Sequence, residues 1–286
     1  MRDDRPSLTA AFVAFARGIG MRGDVPDPVA AGLVPGPFAQ VLGAFDRTEA
    51  YRPALRPAAR ALSFGMIDHI TLRTAAIDRA LRTWLSQGTE QVVILGAGLD
   101  ARAWRLPELA ATDVYEVDHP ASQAYKRRRV EGRAPLAREV RFVSCDFERQ
   151  RLSGALAESG HDRTRPTFWI WEGVTMYLRR PAVAASLGVM DERSAAGSGL
   201  AVTYVLPNYV PLPSQTVRAV VDGVFRAFGE PLVGGMEPSE MRSLLAGAGF
   251  ERVSDTDSAD WARDEEMRSA LPLLFRSERL AVAMRR

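Results

Sequence analysis

Short apolar strands alternating with helices predict an α/β fold, with a mostly parallel sheet covered on both faces. Three observations carry this. Val92-Val93-Ile94-Leu95 is an unbroken, mostly β-branched run, short enough for a strand buried on both sides and too short for a helix. Gly96-Ala97-Gly98 follows at once, and further apolar runs recur downstream with helical patterns between them. The next three strands each lead into an acidic residue, Asp118, Asp146 and Glu172.

In chain order, Leu8, Phe12, Phe15 and Ile19 recur at helical spacing across 7–21, with Ser7 as N-cap. The proline-rich stretch 24–37 reads as an irregular connection, and a short helix is expected from Pro37 to Phe45. From Pro57 to Leu85 the residues Ile67, Ile70, Thr74, Ile77, Leu81 and Trp84 mark one helical face, closed by Gly88 as a C-cap. Residues 1–88 therefore read as a helical N-terminal cap, and 89–286 as the main α/β domain.

Within that domain, strands are expected at 91–95, 113–117, 140–145, 167–171, 200–205, about 250–254 and about 280–284. The helices between them begin near Asp100 or Ala101, run over Ala121–Glu131 and Pro181–Ala196, and resume at Ser214–Phe228 and from Pro238 to Gly247 or Gly249. Prolines break the chain over 206–213, so 206–236 reads as an insertion that caps the site.

Composition narrows the partners. A formal net charge of +2 offers no bulk attraction for nucleic acid or an anionic membrane. Lys126 is the single lysine, and Lys126–Arg129 reads as a solvated helix face. One cysteine, Cys145, rules out an intrachain disulfide and a thiolate metal cluster. His69, His119 and His161 lack metal-ligand spacing. No apolar run approaches the roughly 18 residues of a membrane span, and Arg17 interrupts the apolar N-terminal stretch, which does not read as a signal peptide. A cytoplasmic location is expected.

In an open parallel sheet, ligands bind beyond the carboxyl ends of the strands. Two glycines and three carboxylates are delivered to that edge here. Glycine lets the backbone approach a ligand because no Cβ intervenes, and Asp118 is placed to accept from both hydroxyls of a ribose. That much describes an adenosine-binding entry. Gly96-x-Gly98-x-x-Ala101 also fits the relaxed dinucleotide fingerprint, which keeps an NAD(P)-dependent oxidoreductase open as the alternative. A pyrophosphate would be repelled by nearby acids. S-adenosylmethionine has no phosphate; its sulfonium, ammonium, ribose and adenine want carboxylates and apolar contacts, so the acid-rich edge suits it better. A cofactor-binding protein without catalysis is the third reading.

QVVILGAGLDARAWRL, VYEVDHP, FVSCDFE and FWIWEGVTMYL resemble, in order, the successive motifs of the leucine carboxyl methyltransferase family. That family includes bacterial small-molecule and polyketide O-methyltransferases. The resemblance covers about residues 60–205; Ala101 stands where the family often has threonine. It implies a class I methyltransferase-type, Rossmann-like fold: a seven-stranded, mostly parallel sheet with an antiparallel last strand. It implies S-adenosylmethionine as cofactor, released as S-adenosylhomocysteine, and a small-molecule acceptor. It further implies that Arg73 pairs with the methionine carboxylate and that Gly96 and Gly98 let the methionine portion pass. Asp118 would hold the ribose, Asp146 the adenine amino group with Phe147 on the ring, and Glu172 the ammonium. Tyr177 would line the space near the methyl group, and Asp100 and His119 are read as structural. Phe12, Phe15, Phe38, Tyr204, Tyr209 and Phe225 are candidates for the acceptor pocket. None of these residues names a general base or bears on oligomeric state.

Overall fold

The computed structural model describes residues 8–19, 27, 29–47, 62–63, 65–145, 152–207, 223, 232–266 and 275–286. Its elements in chain order are α1 (Leu8–Ile19), α2 (Ala30–Leu33), α3 (Gly36–Arg47), α4 (Met66–Ser86), β1 (Gln91–Leu95), α5 (Arg102–Arg105) and β2 (Asp113–Asp118). They continue with α6 (Pro120–Val130), β3 (Glu139–Ser144), α7 (Leu152–Glu158), β4 (Thr167–Trp171), α8 (Arg180–Glu192), β5 (Gly199–Val205), α9 (Pro238–Gly247), β6 (Phe250–Asp257), α10 (Ser258–Asp264) and β7 (Glu278–Arg285). Single 3₁₀ turns lie at Pro107–Ala111 and Thr175–Tyr177.

The seven strands form one sheet in the order β3-β2-β1-β4-β5-β7-β6. β1 through β5 pair in parallel, while β7 runs antiparallel to both β5 and β6. The expected antiparallel last strand is thus present, inserted between β5 and β6. The order reverses direction between β1 and β4, the switch point beyond whose carboxyl end ligands bind in open α/β sheets.

Successive strand residues point to opposite faces, and both faces are apolar. Val92, Ile94, Phe168 and Ile170 face one core, shared with α1, α2 and α4. Val93, Leu95, Trp169 and Trp171 face the other, shared with α7, α8 and α9. This is why β1 and β4 read as continuous apolar runs instead of alternating ones. The face expected on α4, from Ile67 through Trp84, is buried at every position named. Gly88 adopts φ +89°, as a residue just past a helix end does.

Other boundaries moved for identifiable reasons. α8 stops at Glu192, because Arg193 and Ser194 leave the helix to reach His161 and Trp169. β6 extends to Asp257 past a bulge at Arg252/Ser254; as an edge strand it carries polar residues that hide its length. α2 sits in the stretch read as irregular, and α7 and α10, not expected from the sequence, are single short helices whose period barely completes two turns. Ser7, residues 57–61 and the helix expected over Ser214–Phe228 lie outside the described residues, residue 223 aside. Among the described residues no helix is long and apolar enough to cross a membrane.

Candidate active site

The turn after β1 is built from two left-handed glycines, Gly96 at φ +66° and Gly98 at φ +47°. A Cβ on Gly96 would sit 2.6 Å from Cγ2 of Val174, two residues past Glu172. A Cβ on Gly98 would sit 3.4 Å from Cβ of Ala10, so α1 lies directly over the turn. Asp118, at the end of β2, pins the same turn: its Oδ2 accepts from the Gly98 amide at 2.5 Å and its Oδ1 from the His119 amide at 2.6 Å. A carboxylate has about four lone-pair sites, so each oxygen keeps capacity for one more donor. Burial pushes the Asp118 carboxyl above the ordinary aspartate range, against the pull of those two amides.

Beside the turn lies a continuous buried ion cluster. Glu172 Oε1 accepts from Arg17 Nη2 at 2.8 Å and from Arg73 Nε at 3.0 Å, and its Oε2 stands 3.0 Å from Arg102 Nη2. Arg102 also pairs with Asp100 and, at 2.7 Å, with Asp78 of α4. Asp78 meets Arg105 at 2.6 Å, and Arg105 faces Asp27 at 3.6 Å. On the other side, Arg73 Nη1 donates to Glu278 at 2.8 Å, and Glu278 meets His69 at 2.5 Å. Among the described residues, five carboxylates thus face four guanidiniums, with His69 against Glu278.

Burial alone would drive these carboxyls up. For Glu172 the opposing fields of Arg17, Arg102 and Arg73 win and hold it well below the ordinary glutamate value. For Glu278, burial is likewise overcome, by Arg73 and His69, and the carboxyl is held at about 2. Both are ionised at neutral pH. Removing one partner from such a set strands a buried charge, at a cost of about 3–5 kcal/mol.

Arg73 and Glu172 are brought into direct contact, as are Gly98 and Asp118. Arg73 and Glu172 were expected to face opposite charges of a ligand; in this structure they pair with each other. Tyr177 ends the 3₁₀ turn just past Glu172 and is half-buried. Asp146 and Phe147 lie outside the described residues. Asp100, one residue before the N-cap Ala101 of α5, accepts from the Arg102 amide at 2.8 Å, and His119 caps α6 through Nδ1. Of the aromatic candidates, Phe12, Phe15 and Phe38 pack around α1 and α3, Tyr204 is fully buried and donates to Asp255, and Tyr209 and Phe225 lie outside the described residues.

Lys126 corrects the solvated-face reading. It is 1% exposed, 2.5 Å from Glu116 Oε2 and 5.2 Å over the Trp104 ring, while Arg127, Arg128 and Arg129 are exposed. Burial raises Glu116 to about 7 despite that lysine. The sequence reading also missed Arg17, Arg102, Arg105, Asp78 and Glu278 as members of the site. A signal was present for two of them: Arg17 and Asp78 each interrupt an otherwise apolar helix face.

The chain's sequence from residue 10 to 190 matches the leucine carboxyl methyltransferase family. A protein of Mycobacterium sp. (strain JLS), provisionally named an S-adenosyl-L-methionine-dependent methyltransferase, is 37% identical over 220 residues, covering 74% of this chain and 70% of that one. A similarly named protein of Mycobacterium avium (strain 104) is 36% identical over 269 residues, covering 87% and 84%. In fold, the chain resembles a provisionally assigned methyltransferase from Thermobifida fusca with a TM-score of 0.61 at 17% identity, covering 100% of this chain and 96% of that one. The family match and these relatives place the chain in the class of S-adenosylmethionine-dependent methyltransferases. The chain belongs to the leucine carboxyl methyltransferase family within it.

Proposed function

We propose that this enzyme transfers a methyl group from S-adenosylmethionine to an oxygen, carboxyl or hydroxyl, of a small molecule, of polyketide type or another secondary metabolite. The observation that carries the reading is the contact between Arg73 and Glu172 beside the glycine turn, at 3.0 Å. A guanidinium and a carboxylate side by side are the complement of an amino acid's carboxylate and ammonium. The spare lone pairs of Asp118 and the carboxylates of the cluster fit a ribose and a net positive ligand. Asp146 and Phe147 take the adenine in this reading, and Tyr177 lies on the acceptor side.

When bound, S-adenosylmethionine supplies a methyl group on a sulfonium that is already a good leaving group. The protein's part is to hold the acceptor oxygen about 3–3.5 Å from the methyl carbon, in line, with water excluded. α1 over Gly98 excludes water from one side of the turn. We assign residues 1–88 and 206–236 to the cap over the acceptor, and expect no nucleic-acid or membrane partner and a cytoplasmic location.

Calorimetric titration tests the cofactor half: S-adenosylhomocysteine should bind and NADH should not, and the reverse result ends the proposal. Labelled-methyl turnover against paired carboxylic acids and phenols tests the acceptor half. Transfer only to nitrogen or carbon acceptors would overturn the O-methyl assignment.

A further inference from the structure

Arg73 stands between two carboxylates that hold it differently. Its Nε donates to Glu172 at 3.0 Å, and its Nη2 lies 3.0 Å from the same oxygen. Its Nη1 donates to both oxygens of Glu278, at 2.8 and 3.1 Å. The two acids thus engage all three nitrogens of a guanidinium whose donors sit in a fixed planar fork. A third carboxylate arriving on Arg73 has to be fitted against both.

The two acids differ in what else they serve. Glu172 also meets Arg17 at 2.8 Å and Arg102 at 3.0 Å and, in the proposed function, faces the cofactor's ammonium. Its charge is balanced without Arg73, and it attracts the ligand. Glu278 belongs to β7, beyond the segment 10–190 that matches the family. Among the described residues its ion-pair partners are Arg73, at 2.8 Å, and His69, at 2.5 Å. It is buried and ionised, held at about 2 by Arg73 and His69 against the cost of burial. Little water is left there to screen its charge.

The sign of its effect on a ligand carboxylate is therefore fixed. If that carboxylate takes Nη1, Glu278 must give up hydrogen bonds to make room. If it takes the Nε and Nη2 edge, Glu278 remains in place and repels it across one guanidinium. On either route the charge of Glu278 works against the incoming carboxylate.

We propose that Glu278 is a specificity-determining residue of the cofactor site: it competes with the methionine carboxylate for Arg73, so that cofactor and product are held less tightly than Arg73 would otherwise hold them. This rests on the assignment of Arg73 to that carboxylate. The competition keeps a buried guanidinium paired before the ligand arrives, where a bare one would be costly. It also loosens the product, which carries the same carboxylate as the cofactor.

The test compares two ligands on the whole protein by calorimetric titration. One is S-adenosylhomocysteine; the other is its decarboxylated form, which keeps the ammonium, ribose and adenine. Partial unfolding of a variant weakens both alike and leaves the ratio of their affinities unchanged. Glu278→Gln keeps the side chain's shape and an oxygen for Nη1 while removing the charge. It should raise the ratio in favour of S-adenosylhomocysteine by about tenfold. An unchanged ratio, with both ligands shifted together, makes Glu278 a purely structural residue and overturns the proposal. A fall in the ratio makes it an aid to Arg73 and overturns the proposal as well. Should Glu278→Gln not fold, Glu278→Asp reads the same sign: it draws the charge back by one methylene, and a ratio that fails to rise decides against competition. Arg73→Gln separates the two assignments, because it should lower the ratio. If it does not, the role of Arg73 falls and the proposal with it; if it does while Glu278→Gln leaves the ratio in place, the proposal alone falls.

Discussion

The two ends of the same strands are both buried and polar, yet they are built in opposite ways. At the amino edge, Gln91 donates to the Asp162 carbonyl and accepts from its amide, at 2.8 and 2.9 Å. There His161 meets Thr167 at 3.0 Å, and Trp169 donates to Ser194 at 2.8 Å. These are mostly neutral groups satisfied by one another. At the carboxyl edge the groups are ionic: among the described residues Glu172 meets Arg17, Arg73 and Arg102, and Asp78 meets Arg102 and Arg105. A mostly neutral network specifies packing. An ionic one, next to a glycine turn, holds charge for something to bind.

If this contrast is real, damage at the two edges must separate stability from binding. The largest effect is expected at Arg102, which meets Asp78, Asp100 and Glu172 together. Arg102→Met should cost about 3–5 kcal/mol in denaturant unfolding, because three buried carboxylates lose a partner; a cost under about 1 kcal/mol would mean the cluster is not buried as described.

Asp118→Asn should come next, weakening S-adenosylhomocysteine binding by about a hundredfold or more, since two charge-assisted bonds to a diol are worth about 1.5–3 kcal/mol each. Its stability should also fall, by about 1–3 kcal/mol, because an asparagine can accept from only one of the Gly98 and His119 amides; retained tight binding by a folded Asp118→Asn protein would refute the ribose assignment. At the amino edge the order inverts. Gln91→Leu should cost about 1–3 kcal/mol of stability by leaving its partners unsatisfied while ligand affinity stays put. A parallel loss of affinity would erase the distinction between the edges.

The mildest probe at neutral pH is acid titration of stability. Burial, with Arg193 nearby, depresses His161 from 6.5 to about 4, so the unfolded chain binds this proton first as pH falls. Stability from the amino edge should decline between about 6.5 and 4. Glu278 is depressed from 4.5 to about 2, so its contribution is intact above 4.5 and lost as pH falls toward 2. The amino edge should therefore weaken first, and His161→Asn should remove the earlier slope alone. One slope confined below pH 4.5, unaltered by His161→Asn, would contradict this order.

Local signals made the frame of the site legible. The β1 run, the two left-handed glycines and the acid at the end of β2 were all readable, because strand length, period and positive φ depend on a few neighbouring residues. Edge strand β6 was under-read because its polar, bulged second half does not advertise a buried face. Lys126 was misread because a run of four basic residues says nothing of which one turns inward onto Glu116 and Trp104.

By itself, then, the sequence determined the α/β architecture and the glycine turn, and favoured a phosphate-free nucleoside over a dinucleotide. It could not determine which charges meet. Arg17 reaches Glu172 across 155 residues and Arg73 reaches Glu278 across 205. Those pairings exist because α1, α4 and β7 are packed to the same edge of the sheet. Only that packing removes the water that would otherwise screen each charge from the rest.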